Sequence, residues 1–211
     1  MGRPTIVFTD RSHGDLAVDS AGVDRRRAAV APGPWTWLRQ VHGADVLVVD
    51  HPGQHAGAEA DAAVTAVPGC VLAVQIADCA PVALVGSSVV GVVHAGWRGL
   101  LAGVVPNAVA AMRSAGAGDI EAVIGPCIEP ACYEFGPDDL DAVAAALGDE
   151  VRGVTRSGSQ ALDLRAAVRA SLRTAGVQQI TDAGVCTACS PAHWSHRARA
   201  EHERQAVVAW M

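Results

Sequence analysis

The sequence predicts a mixed α+β fold in a single domain spanning residues 1–211. Three observations support this. A chain of 211 residues can bury one substantial core. Its strand-like and helix-like patterns do not alternate as a doubly wound parallel sheet requires. Two apolar runs flank Gly86, Ser87 and Ser88, and read as a hairpin.

The strand candidates are short apolar runs bounded by turn residues: Thr5–Phe8, Asp45–Val49, Cys70–Ile76, Val82–Val85, Val89–Val93, Ile120–Ile124 and Ala206–Trp210. A short basic helix is expected within Ser20–Trp35, and a Gly-rich surface loop over Asp50–Asp61. Leu101–Arg113 has helical character, but Pro106 must either start that helix or kink it. Asp138–Leu147 carries acidic residues in its first turn, where they favour a helix start. Asp163 reads as the N-cap of a helix with Leu164, Val168 and Leu172 on one face, closed by Gly176.

Composition narrows the function. Half of the residues are hydrophobic and the net charge is -6, which argues against nucleic acid as a partner. No apolar run is long enough for a membrane span, and the N-terminus reads as no secretory leader, so the expected location is the cytoplasm. All sixteen basic residues are arginine. Schiff-base catalysis, a phosphate-loop lysine and a lysine base are therefore excluded. The six cysteines are expected to be reduced there, as packed thiols, ligands or nucleophiles.

The hairpin brings chemistry together. In "ADCAPVALVGSSVVGVVHAGWRG" (Ala77–Gly99), a two-residue Gly86-Ser87 loop would form a type II′ turn. That register sets Cys79 directly across from His94, on one face, with Cβ atoms roughly 4.5–5.5 Å apart. A three-residue loop would offset the pair by one position, so proximity is the firmer expectation. A thiol beside an imidazole suits a nucleophilic pair. It equally suits a zinc or copper site. His42, in a Gly-containing turn of "LRQVHGADVLVVD" (Leu38–Asp50), offers a third ligand. Two His and one Cys leave a coordination position open, as catalytic zinc sites do.

Several segments then occur in order: "RQVHGADV" (Arg39–Val46), "ADAAVT" (Ala60–Thr65), "ADCAPVAL" (Ala77–Leu84), "VHAGWRGLLAGVV" (Val93–Val105), "IGPCIEPACYEFG" (Ile124–Gly136), "DLRAAVRASL" (Asp163–Leu172) and "CTAC" (Cys186–Cys189). Together they resemble the YfiH family, whose members are described as laccase-domain or multicopper polyphenol oxidase proteins and as purine nucleoside phosphorylases. The resemblance covers nearly the whole chain. It implies a four-layer α/β/β/α sandwich with mixed sheets. It also implies one metal per chain, usually zinc with copper as the alternative, held by His42, Cys79 and His94. The implied activities are phosphorolysis of adenosine, inosine and methylthioadenosine, and adenosine deamination. Purine nucleoside and phosphate would be the partners of a monomer or homodimer. The family is also linked to oxidase activity and to quality control of peptidoglycan precursors. This chain departs from the family pattern in a shorter hairpin loop, in His13 within "TDRSHGDLA" (Thr9–Ala17), and in "WSHRARAEHERQAVVAWM" (Trp194–Met211).

Within that reading, Cys79, His94 and Asp78 are the catalytic candidates. Asp78 would back a His ligand or move protons from a loop, but would point away if Cys79 lies in a strand. Without lysine, Arg39 and Arg98 are the candidate phosphate ligands, unless each pairs with a carboxylate as scaffold. Gln40 would contact substrate or cap backbone groups, and Trp97 would stack a purine or fill core. Gly96 is expected to give the backbone room to turn. Cys127 and Cys132 read as packed thiols, and Glu129 and Glu134 as surface or turn residues. "CTACSPAHWSH" has the spacing to close a second zinc site through Cys186, Cys189, His193 and His196. Three rival functions remain: a copper polyphenol oxidase, a Cys/His hydrolase editing peptidoglycan precursors, and a non-catalytic metal-binding protein. Eight histidines poorly supply several copper centres, which weakens the first.

Overall fold

The structure, a computed structural model, describes residues 4–211, so the first three residues of the expected domain lie outside it. In chain order the elements are β1 (Thr5–Phe8), α1 (Val23–Val30), β2 (Trp35–Trp37), β3 (Val46–Val48), β4 (Ala62–Thr65), β5 (Val71–Ile76), β6 (Ala80–Val85), β7 (Val90–Ala95), α2 (Trp97–Ala102), α3 (Val104–Ser114), β8 (Glu121–Ile124), α4 (Pro137–Leu147), β9 (Arg152–Val154), β10 (Gln160–Leu162), α5 (Leu164–Thr174), β11 (Gln179–Asp182), α6 (His196–Arg199) and β12 (Gln205–Trp210).

Two mixed sheets form the centre. One has the order β1-β12-β5-β2, the other β11-β8-β6-β7-β4-β3. Most neighbours are antiparallel, while β2–β5, β3–β4 and β8–β11 are parallel. The central strands alternate between two apolar environments. On β5, Leu72 and Val74 face the seam between the sheets, while Val71 and Ala73 face outward beneath Val23 of α1. On β7, Val90 and Val92 enter the seam, while Val93 and Ala95 join the helical layer with Val104, Val105 and Leu172. Both faces of these strands are buried, so they read as continuous apolar runs. The layers are α1, the four-stranded sheet, the six-stranded sheet, then α2 to α5. This is the expected four-layer α/β/β/α sandwich.

Local chemistry explains the helix ends. Asp163 accepts from the Ala166 N–H at 2.8 Å and caps α5. The stretch expected over Leu101–Arg113 is split into α2 and α3 by Gly103, which is left-handed at φ 93°. Pro106 thereby falls in the first turn of α3, where a missing N–H costs little. The hairpin corrects the expected register. Ala80 pairs with Ala95 and Pro81 with His94, and the Gly86 N–H reaches the Val89 carbonyl at 2.8 Å. The loop is therefore Ser87-Ser88, and Gly86 is not left-handed. Cys79 consequently sits diagonal to His94 rather than across from it. Because a shift of one full pleat keeps side chains on the same face, the two still converge.

The chain ends are clamped together. Glu201 pairs with Arg11 and accepts from the Ser195 N–H, and Asp15 accepts from the Ala17 and Arg204 N–H groups. Burial pushes Glu201 and Asp15 up, but for Glu201 Arg11, Ser195 and Arg199, and for Asp15 the Ala17 N–H, Ser20 and the Arg204 N–H, hold the carboxyl below its ordinary value. A depressed folded pKa gives stability that is present above the unfolded value and is lost as pH falls through the folded one. The urea midpoint is therefore expected to fall between about pH 5 and about pH 3. Glu201→Gln should flatten part of that slope, and an unchanged slope would exclude Glu201 as one of its sources.

Candidate metal and substrate site

The site lies where the seam between the sheets opens at the ends of β4 and β7. His94 occupies the seam-facing alternation of β7 set by Val90 and Val92. Asp61 precedes β4, directly across from His94 in the register that pairs Ala62 with Val93. The His94 N–H donates to the Asp61 carbonyl at 2.7 Å, and the side chains meet at 2.7 Å between Nδ1 and Oδ1. An ionised carboxylate only accepts, so His94 Nδ1 carries the proton and its Nε2 faces the site.

Asp61 also organises His42. Its carboxylate accepts from the N–H groups of Val41, His42 and Gly43 at 3.1, 3.0 and 2.8 Å. His42 is left-handed at φ 58°, a conformation that costs a non-glycine residue about 1 kcal/mol or more. The three converging N–H groups form an anion-binding nest that offsets this cost. Asp61 is fully buried. Burial pushes its pKa up, yet His94 and the turn's N–H groups hold it below the ordinary carboxylate range.

Cys79 Sγ lies 3.8 Å from His42 Nε2, and the two imidazole rings sit 4.8 Å apart, nearly edge to face. The ligand atoms of His42, Cys79 and His94 all lie within 4.8 Å of one another. Burial acts to raise the Cys79 thiol, but the charge on His94 and hydrogen bonds from both imidazoles bring it down to about 6. Burial acts to lower His94, but Cys79 and Asp61 lift it to about 9. These directions favour a thiolate. Two imidazole nitrogens and one thiolate at this spacing could hold a zinc or copper ion. Gly96 is needed here for space. Its φ of -80° suits any residue, but a Cβ there would stand 2.8 Å from His42 Cδ2 and 3.2 Å from Cys79 Sγ.

His42, Cys79 and His94 line a cavity of about 540 Å³. Arg39, Gln40, Gln75, His196, His202 and Arg204 also line it. Gln40 binds both the N–H and the carbonyl of Gln75, through its Oε1 at 2.8 Å and its Nε2 at 2.6 Å. Gln75 Nε2 is buried with no hydrogen-bond partner. Arg98 is exposed, stacks on the Trp97 ring at 4.3 Å and does not line this cavity. Trp97 packs edge to face on Phe135 beside the helical core. Asp78 is left-handed at φ 94°, and its carboxylate accepts from Thr187 Oγ1 at 2.6 Å and the Arg197 N–H at 2.7 Å. The Asp that supports His94 is therefore Asp61, which the sequence reading left without a role. The available signal was its position, immediately before the small-residue strand β4.

The expected Cys186, Cys189, His193, His196 set does not assemble. His193 bonds Ser190, and His196 turns to the cavity. Cys132 joins Cys186 and Cys189 instead, giving a second group whose sulfurs lie within 4.8 Å of one another.

Comparison with known proteins agrees with this architecture. The chain is 42% identical to the purine nucleoside phosphorylase SCO2081 of Streptomyces coelicolor, over 99% of this chain and 84% of that one. It is 39% identical to the purine nucleoside phosphorylase Rv2149c of Mycobacterium tuberculosis, over 98% and 85%. The crystal structure of Bacillus licheniformis YfiH superposes with a TM-score of 0.88 at 26% identity, over 99% of this chain and 92% of that one. Neisseria meningitidis NMB0706 gives 0.87 at 27%, over 100% and 95%. Residues 16–211 match the family described as multi-copper polyphenol oxidoreductase laccase, and the chain belongs to that family of YfiH-type proteins.

Proposed function

We propose that the protein is a zinc-dependent purine nucleoside phosphorylase acting on adenosine, inosine and methylthioadenosine, with adenosine deamination as a second activity. The observation that carries this reading is the convergence of His42, Cys79 and His94 in the wall of a cavity that Arg39 and Arg204 also line. The names of the relatives support the substrate class. A volume of about 540 Å³ is in the range that holds a nucleoside-sized ligand. His42, Cys79 and His94 would hold the ion. When bound, it supplies a Lewis acid that polarises an oxygen placed against it.

The chain's own groups perform the rest. Arg39 presents a guanidinium fork to the phosphate, in place of the absent lysines, and Arg204, whose Nη1 is held by the carbonyls of Glu201, His202 and Glu203, adds positive charge to the cavity wall. The buried Gln75 amide supplies an unused donor for the sugar or the base. Cavity walls hold phosphate and ribose C1′ in line and limit water. A phosphate oxygen bonds to C1′ as the bond from C1′ to the purine nitrogen breaks, and the departing base takes up the proton that the hydrogen phosphate gives up. Asp61 orients the His94 imidazole directly and holds the His42 turn through its backbone N–H groups, which makes it a positioning residue. Arg98, stacked on Trp97 away from the cavity, is left out of the phosphate site, and Asp78 would anchor the Cys79 segment.

One observation favours a second reading. A thiolate 3.8 Å from an imidazole is also what a Cys/His hydrolase requires. Incubation with adenosine, with and without phosphate, separates the two by chromatography of products. Phosphate-dependent adenine, absent in Cys79→Ala, is expected. Inosine alone would replace phosphorolysis by deamination, and no turnover of metal-loaded protein would refute the nucleoside reading.

Two predictions concern the ion. His42→Ala, Cys79→Ala and His94→Ala should each carry one ion per chain fewer than wild type by elemental analysis. Full retention in any of them removes that residue from the ligand set. Asp61→Asn keeps the shape but not the charge. It should weaken metal affinity about 10–100-fold. It should also cost about 1.5–3 kcal/mol of stability, read from urea unfolding. Unchanged affinity with lost stability would reduce Asp61 to a structural role.

A further inference from the structure

The second sulfur cluster is not used by the chemistry above. Cys132 ends a tight turn through Pro130, and Cys186 and Cys189 lie in the turn after β11. Backbone bonds join the two segments, from Cys127 N–H to the Val185 carbonyl and from Thr187 N–H to the Cys127 carbonyl, both 3.2 Å. Cys132 and Cys189 approach to 3.3 Å between sulfurs. Arg156 Nη2 donates to Cys189 Sγ at 3.1 Å. Cys186 is buried, Cys132 half-buried and Cys189 exposed. Thiols that only fill space belong in the apolar core, as Cys70 and Cys127 do here. Three thiols converging at a surface turn do not fit that role, and a disulfide would leave the third unexplained.

We propose that Cys132, Cys186 and Cys189 form a second metal site, which binds zinc through three thiolates and keeps one position for an external ligand. The C-x2-C spacing of Cys186 and Cys189 is that of half a structural zinc site, and Cys132 supplies the third sulfur. Among the described residues no further His, Cys, Asp or Glu joins the group. Binding releases three thiol protons. Three thiolates and a divalent ion leave one negative charge, which the Arg156 guanidinium beside Cys189 offsets. The exposed side of Cys189 is the entry path.

The site has a structural consequence. The segment after Cys186 carries Thr187 and Arg197, both bonded to Asp78, the neighbour of Cys79. It also carries His196, which lines the cavity. An ion at the three sulfurs fixes the start of this segment, and so one wall of the cavity.

The test is zinc titration of the full-length, reduced, chelator-treated protein, with bound metal read by elemental analysis after desalting. Wild type is expected to bind two zinc ions per chain. Cys79→Ala and Cys189→Ala should bind one each, and the double variant none. Cys189 is exposed, so its substitution leaves the core intact. In Cys79→Ala, zinc should protect Cys132, Cys186 and Cys189 together from alkylation, mapped by peptide mass spectrometry. One ion in wild type that survives Cys189→Ala would overturn the proposal. Equal alkylation with and without zinc would do so independently, as would a Cys132–Cys189 disulfide whose reduction restores no zinc binding. One ion lost in Cys189→Ala but kept in Cys79→Ala would support this site and refute the catalytic one.

Discussion

The buried carboxylate of Asp61 is the constraint on which the rest of the site depends. A fully buried anion is tolerated only when it is surrounded by donors. Asp61 finds them in the His94 imidazole and in three consecutive N–H groups of the turn at His42. The same demand sets three things at once. It fixes the tautomer of His94, holds His42 in a left-handed conformation, and ties the turn before β3 to the ends of β4 and β7. Without this anion, the turn would have no reason to keep its strained form.

The two-sheet design determines where such a site can exist. Within the seam, alternate side chains of β4, β5, β6, β7 and β12 are small or branched and close the space between the sheets. Polar groups can enter only where the strands end. Asp61 and His94 stand two positions beyond the seam residues Ala63 and Val92, and Cys79 four beyond Ala83, so all three continue the alternation of the core into the cavity. The chemistry is therefore carried by strand ends in a packed scaffold, with the turn at His42 contributing the remaining imidazole. Gly96 keeps the approach open, because the volume a side chain would need there is taken by the His42 ring and the Cys79 sulfur.

Much of this was legible in the sequence. Long β-branched runs such as Val71–Ile76 and Val90–Ala95 declare themselves, because apolar burial on both faces leaves few polar interruptions. His42, Cys79 and His94 stand out as polar residues at the borders of such runs. β4 was not legible: Ala-Ala-Val-Thr is a weak strand former, and its conformation comes from neighbours on both sides. With β4 unseen, Asp61 had no visible partner. The hairpin register was missed by one pleat, because Gly-Ser-Ser permits several turns and only cross-strand packing selects among them. The sulfur cluster was half legible. Spacing indicated Cys186 and Cys189, but Cys132 is over fifty residues away in sequence, and only the bridge between the two segments brings it near. Arg98, counted four residues after His94, turned outward because α2 begins at Trp97 and rotates it off the cavity.

The hairpin of β6 and β7 has its reactive end and its loop at opposite extremes. The paired strands run from Ala80–Ala95 to Val85–Val90, a separation of roughly 17–20 Å. The Ser87-Ser88 connection touches neither the ligands nor the cavity. A longer connection there leaves the site untouched, so the loop offers a graft point where a reporter peptide or an affinity handle is carried while the working end of the hairpin stays as it is.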